Sequence, residues 1–238
     1  MKKALSIGEI FHHEKIIENM ERTHSTAQKY IKPKPPTIFM EDEFEYFKGV
    51  IKDIEPRFDM DKVDIDIMSS TFAWVWKCNE MNTLEWDYKK GLFFYGSLGR
   101  GKSLILYGLR EYLRRVRSRY SRYHETDYRL GMYWQSASQL ANKYAYDGLY
   151  EIQEYIEPGC CLFIDELGRE PNPASNYGTK MNVLQFILQL RYDNRRSCVT
   201  HVTTNLKLDE IASHYGDYVA DRCLEMFNFA EFTGKSFR

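Results

Sequence analysis

The stretch Gly96-Ser97-Leu98-Gly99-Arg100-Gly101-Lys102-Ser103 fits G-x-x-x-x-G-K-[ST], a pattern whose chemistry is the binding of a nucleoside triphosphate. Glycines let the backbone take positive φ and approach phosphate oxygens with no Cβ in the way, so successive N–H groups form an anion nest. Lys102 would reach the β- and γ-phosphates as a point charge, and the Ser103 hydroxyl would hold Mg²⁺. Arg100 occupies a variable position and has no role beyond membership of the loop, and the nucleotide-binding stretch runs on through Leu104. A second cluster, Asp165-Glu166, lies about sixty residues further on. There Asp165 would hold Mg²⁺ directly or through water. Glu166 would orient and activate the attacking water, which favours hydrolysis over simple binding. The amide of Asn205, after Thr204, can hydrogen-bond the γ-phosphate or that water.

These groups can cooperate only if a sheet delivers them to one edge. The apolar run Gly91 to Tyr95 predicts a buried strand feeding the loop, and apolar spacing from Leu104 to Tyr112 predicts the helix behind it. Phosphate would then rest on a helix N-terminus, where free amides and the helix dipole favour negative charge. Cys160 to Ile164, introduced by Glu157-Pro158-Gly159, predicts a strand buried on both faces that presents its acids at the carboxyl edge, where open α/β sheets bind ligands. Cys198 to Thr203 predicts another strand, bringing Asn205 to the same edge. Met132 to Gln135 predicts one more, followed by a helix from Ser136 to Tyr146 opened by Ser136 or Ser138.

The chain of 238 residues can bury one substantial core with a smaller appendage. Its net charge of -1 offers no bulk attraction to nucleic acid, so any such binding must come from a local patch. That patch is the tract from Arg110 to Arg129, where arginines alternate with Tyr112, Tyr120, Tyr123 and Tyr128. It suits single-stranded DNA, with a solvated helix end as the alternative. Five cysteines without a C-x-x-C pair suggest neither zinc nor a disulfide framework, and His12-His13 is too isolated to argue for metal. Cys160, Cys161 and Cys198 fit small buried hydrophobes. No apolar run is long enough to span a bilayer and the N-terminus lacks a signal-peptide core, so a cytoplasmic protein without membrane contact is expected.

Residues 1–36 read as a helical arm, ended by the prolines at 33, 35 and 36, that either docks a partner or packs on the core. Residues 37–88 read as a helical N-terminal region. It comprises an acidic amphipathic stretch with Phe39, Phe44, Phe47, Val50 and Ile54 apolar, then a helix from Asp61 to Met81 whose Met68, Phe72, Val75 and Trp76 would pack on the sheet. Residues 89–238 form the expected α/β core.

GLFFYGSLGRGKS, CCLFIDELG, LRYDNRR followed by THVTTNL, and the ending YGDYVADRCLEMFNFAEFTGKSFR together resemble the DnaC/IstB family of AAA+ ATPases, bacterial helicase loaders and transposition helpers. The resemblance runs from about Lys89 onward. It implies an AAA+ P-loop core with a mostly parallel sheet flanked by helices, preceded by a helical region and with a reduced or absent C-terminal lid. It also implies an oligomeric ATPase, weak without partner or DNA, that self-associates when ATP is bound and acts on a replicative helicase or a transposase. Thr204-Asn205 corresponds to sensor 1, Arg222 to an arginine finger given to the neighbouring subunit, and Arg238 to a terminal arginine near nucleotide. Arg191, Arg195 and Arg196 are rival fingers. A non-hydrolysing, ATP-gated adaptor is the alternative outside the enzyme class, and Glu166 argues against it.

Overall fold

The computed structural model describes residues 39–123 and 132–234. The predicted N-terminal arm and proline spacer, Tyr128, Arg129 and Arg238 lie outside the described residues. Two compact units divide the chain, Met1–Thr37 and Ile38–Arg238, and every described residue belongs to the second.

Helices α1 (Met40–Ile54) and α2 (Ile65–Trp76) precede the first strand. α1 buries Phe44, Phe47, Val50 and Ile51, one helical stripe, while Phe39 stands outside the helix and exposed. The helix expected from Asp61 to Met81 is shorter at both ends. The Asp64 side chain accepts from Asp66 N at 2.8 Å and starts α2 there, and Lys77 ends it in the left-handed region at φ 55.

Strands β1 (Gly91–Gly96), β2 (Met132–Ser136), β3 (Cys161–Leu167), β6 (Val199–Thr204) and β7 (Phe227–Phe232) form one sheet in the order β2-β3-β6-β1-β7. All neighbours run parallel. The helices between them are α3 (Lys102–Tyr123), α4 (Ala137–Asp147), α5 (Val183–Asp193), α6 (Leu208–Tyr215) and α7 (Asp217–Met226). A separate antiparallel hairpin, β4 (Ala174–Asn176) with β5 (Thr179–Met181), has the exposed Tyr177 at its tip. This is the mostly parallel, helix-flanked α/β architecture that the sequence leads one to expect, with β2, the strand after the loop helix, at an edge and β6 inserted between β3 and β1.

Strand alternation divides the core between the two faces of the sheet. Leu92, Phe94 and Phe163 pack with α1, α2 and α3 on one side; Phe93, Leu162, Ile164 and Val202 pack with α4, α5 and α7 on the other. Phe72 and Trp76, in the same core cluster as Leu92 and Phe94, also meet α3: the Phe72 and Tyr112 rings lie 6.0 Å apart, and Trp76 Nε1 donates to Tyr112 Oη at 2.8 Å. The Tyr112 hydroxyl then donates to the buried Glu43 carboxylate at 2.9 Å. Tyr112 is thus a core residue and cannot stack bases, which corrects its place in the arginine and tyrosine tract. Cys160, Cys161, Cys198 and Cys223 are buried thiols. Among the described residues no helix is long and apolar enough to cross a membrane.

Candidate functional site

The loop Gly96 to Ser103 leaves β1 and enters α3, which begins at Lys102, so Lys102 and Ser103 stand on its first turn. Gly99 and Gly101 have φ +72 and +83, the conformations a phosphate nest requires. Gly96 is at φ +111, and a Cβ there would lie 2.5 Å from Phe232 O. The edge strand β7 is thereby brought against the loop, where Ser97 N donates to Phe232 O at 2.9 Å.

The Lys102 ammonium donates to Gly96 O and Ser97 O, each at 2.8 Å, and to Asn205 Oδ1 at 3.0 Å. Ser103 Oγ donates to Asp165 Oδ1 at 2.6 Å, and Thr203 Oγ1 to the same oxygen at 2.5 Å. Side chains thus tie the loop to both β3 and the end of β6. Lys102, Ser103, Glu166 and Asn205 line one cavity of about 620 Å³ with Leu98 to Gly101 and Leu104. Ile54, Glu55, Arg57 and Phe58, at and just beyond the end of α1, complete its lining, a role their sequence does not announce. Nothing local in an amphipathic helix end announces a ligand wall, since the approach to the loop is long-range. The size suits a nucleotide, and the apolar Ile54 and Phe58 suit the face of a base.

The Ser103 hydroxyl and Asp165 carboxylate are hard oxygen donors already together, the set that Mg²⁺ prefers beside phosphate oxygens. Thr203 fixes the pair, and its hydroxyl also accepts from Glu166 N at 3.1 Å. In sequence Thr203 gives no sign of this role, because a threonine in a β-branched run reads simply as a strand former. Thr204, named with sensor 1, is buried, its hydroxyl donating to Leu167 O at 2.7 Å. The irregularity of β3 between Ile164 and Leu167 turns Glu166 to φ +56, so the two acids do not simply alternate across the sheet.

Burial pushes the Lys102 ammonium down to about 8, with the Asp165 carboxylate opposing the shift. A triphosphate in the cradle would favour the charged form, so ATP binding should take up a proton. Affinity should accordingly fall as pH rises through about 8. Calorimetry at pH 8 in buffers of different ionisation enthalpy should show uptake of about half a proton, absent from Lys102→Ala. Equal binding heats across the buffers would contradict this.

Of the rival fingers, Arg191 is withdrawn by its environment. It is fully buried and donates to Tyr155 O, Cys160 O, Val199 O and Thr200 Oγ1. Arg222, on α7, lies 4.7 Å from the Tyr192 ring and 4.7 Å from the Tyr218 ring, and pairs with Glu225 at 3.4 Å. Arg195 covers Tyr192 at 3.9 Å and shares Glu225; Arg196 is exposed. In the basic tract, Arg114 pairs with Glu111 at 2.7 Å and Arg115 with Asp53 at 2.6 Å. Those two charges are thus partly matched within the chain. The Arg100 guanidinium donates to Lys62 O at 3.4 Å.

No family model matches the chain, and no curated protein matches its sequence. Among solved structures it is similar to the DnaC helicase loader at 20% identity and TM-score 0.48, over 72% of this chain and 92% of that one. It is also similar to a Streptococcus pyogenes serotype M3 protein provisionally described as a primosome component, at 18% identity and TM-score 0.49, over 77% of this chain and 87% of that one. C. elegans PCH-2 is matched at 13% identity and TM-score 0.36, over 83% of this chain and 43% of its own.

Proposed function

We propose that the chain is a Mg²⁺-dependent ATPase that serves DNA replication as a helicase loader of the DnaC/IstB type, switching between assembled states as ATP is bound and hydrolysed. The observation that carries the ATPase reading is the convergence of Lys102, Ser103, Glu166 and Asn205, which follow or end three parallel strands, on one cavity, with Asp165 bound to Ser103 at its edge. The helicase partner follows from the sequence resemblance.

In this reading the loop amides and Lys102 cradle the β- and γ-phosphates, and Ser103 and Asp165 hold the metal. Mg²⁺ bound there would neutralise charge on the phosphate oxygens. Glu166 orients the lytic water and accepts its proton, while Asn205 leaves Lys102 to hold the γ-phosphate or that water. Arg222 of one subunit enters the site of the next and offsets charge on the transferred phosphoryl group. Mixing Arg222→Ala with Lys102→Ala subunits should therefore restore ATPase activity that neither has alone, because some mixed interfaces contain one intact site. No recovery in a mixture that co-assembles would remove Arg222 from the mechanism. Recovery of a replicative helicase with the tagged chain tests the partner, and recovery of a transposase instead would favour the transposition helper.

A further inference from the structure

Glu166 is engaged by a group that the proposed hydrolysis does not need. Its Oε1 lies 3.0 Å from Arg169 Nη1, on a turn fastened from several sides. Arg169 N donates to Glu166 O at 3.2 Å, and Arg169 O accepts from Ser138 Oγ of α4 at 3.3 Å. Gly168 N donates to Glu170 Oε2 at 2.9 Å, and Glu170 is itself held by the Tyr215 hydroxyl of α6 at 2.5 Å. Gly168 has φ +95, and a Cβ there would stand 2.6 Å from Leu206 Cδ1, so the turn admits only glycine at that point. The backbone thus keeps Arg169 and Glu166 on one tight turn, within reach of each other.

The pair has two consequences for chemistry. A guanidinium on the carboxylate takes up lone pairs that a lytic water would need. Yet the side chains remain 49% and 44% exposed, and an ion pair so open to solvent is weak and readily exchanged for a stronger anion. Glu166 and Lys102 line the same cavity, so the guanidinium paired with Glu166 stands beside the phosphate cradle.

We propose that Arg169 is a positioning residue that clamps Glu166 in the nucleotide-free protein and moves to the γ-phosphate when ATP binds, releasing the carboxylate for water. ADP lacks that phosphate and leaves the clamp closed. The clamp rests on the ATPase reading above and adds to it a means of telling ATP from ADP.

The test is the affinity of the full chain for ADP and for a non-hydrolysable ATP analogue, in the wild type, Arg169→Ala, Arg169→Lys, Glu166→Gln and the Arg169→Ala/Glu166→Gln double variant. Arg169→Ala should lose about tenfold of the preference for the analogue with ADP affinity unchanged, a shift of about 1.4 kcal/mol, and Arg169→Lys should keep part of it. Glu166→Gln dissolves the clamp, so it should tighten the analogue several-fold only where Arg169 is present. An unchanged preference in Arg169→Ala, or equal tightening by Glu166→Gln in both backgrounds, would overturn the clamp. A wild type that binds both nucleotides but never hydrolyses ATP would sink the ATPase reading instead, with the affinity ratios still judging Arg169.

Discussion

Glu166→Gln should bind ATP and hydrolyse it about 10²–10⁴-fold more slowly than the wild type. The amide has the shape of the carboxylate, and the backbone bond from Glu166 N to Thr203 Oγ1 at 3.1 Å does not depend on the side chain. The Ser103–Asp165 pair and the Lys102 cradle are likewise untouched, so binding survives. What disappears is the carboxylate beside the Ser103–Asp165 pair that can accept a proton from water, while Asp165 is occupied by Ser103 and Thr203 and the cavity's other carboxylate, Glu55, is engaged by Arg57. Single-turnover hydrolysis, with ATP affinity measured in parallel, separates chemistry from binding. Hydrolysis at the wild-type rate would take Glu166 out of the mechanism.

Arg191→Ala should cost the fold about 3–5 kcal/mol, a large share of the stability of a domain this size. The guanidinium is fully buried and satisfies three carbonyls and the Thr200 hydroxyl, at the amino ends of β3 and β6 and in the turn before them. Truncation leaves those oxygens without a donor and opens a cavity beside them. Lysine, with one ammonium, cannot reach all four, so Arg191→Lys should recover only part of the loss. Urea unfolding gives both values, and a loss below about 1 kcal/mol in Arg191→Ala would show that the network is replaced by water.

Arg191 also marks where sequence reading stops. An arginine near the end of an amphipathic helix looks like a surface cation, and only the fold reveals that its helix is pressed against two strand ends. The phosphate loop and the strand before Asp165 are legible because their requirements are local: glycines at positive φ, an apolar run, acids after it. Ser136 is legible in the same way, since its capping box with Gln139 involves neighbours in the chain. The roles of Thr203, Ile54 and Phe58 depend on partners far away in sequence, so composition and spacing carry no trace of them. Strand β7 is different: FNFAEF alternates, and its Phe-rich run before Gly234 is a local strand signal inside the family-like ending.

β7 follows α7 with no residue between Met226 and Phe227, and pairs with β1 from Gly91–Phe227 to Gly96–Phe232. The helix bearing Arg222 is therefore geared to the strand that ends in the phosphate loop, and the Ser97–Phe232 bond is the last tooth of that gear. On the proposed role of Arg222, a subunit that tightens around its own nucleotide would shift the arginine offered to the next. A row of such subunits would then have a direction, with each occupied site informing one neighbour and not the other.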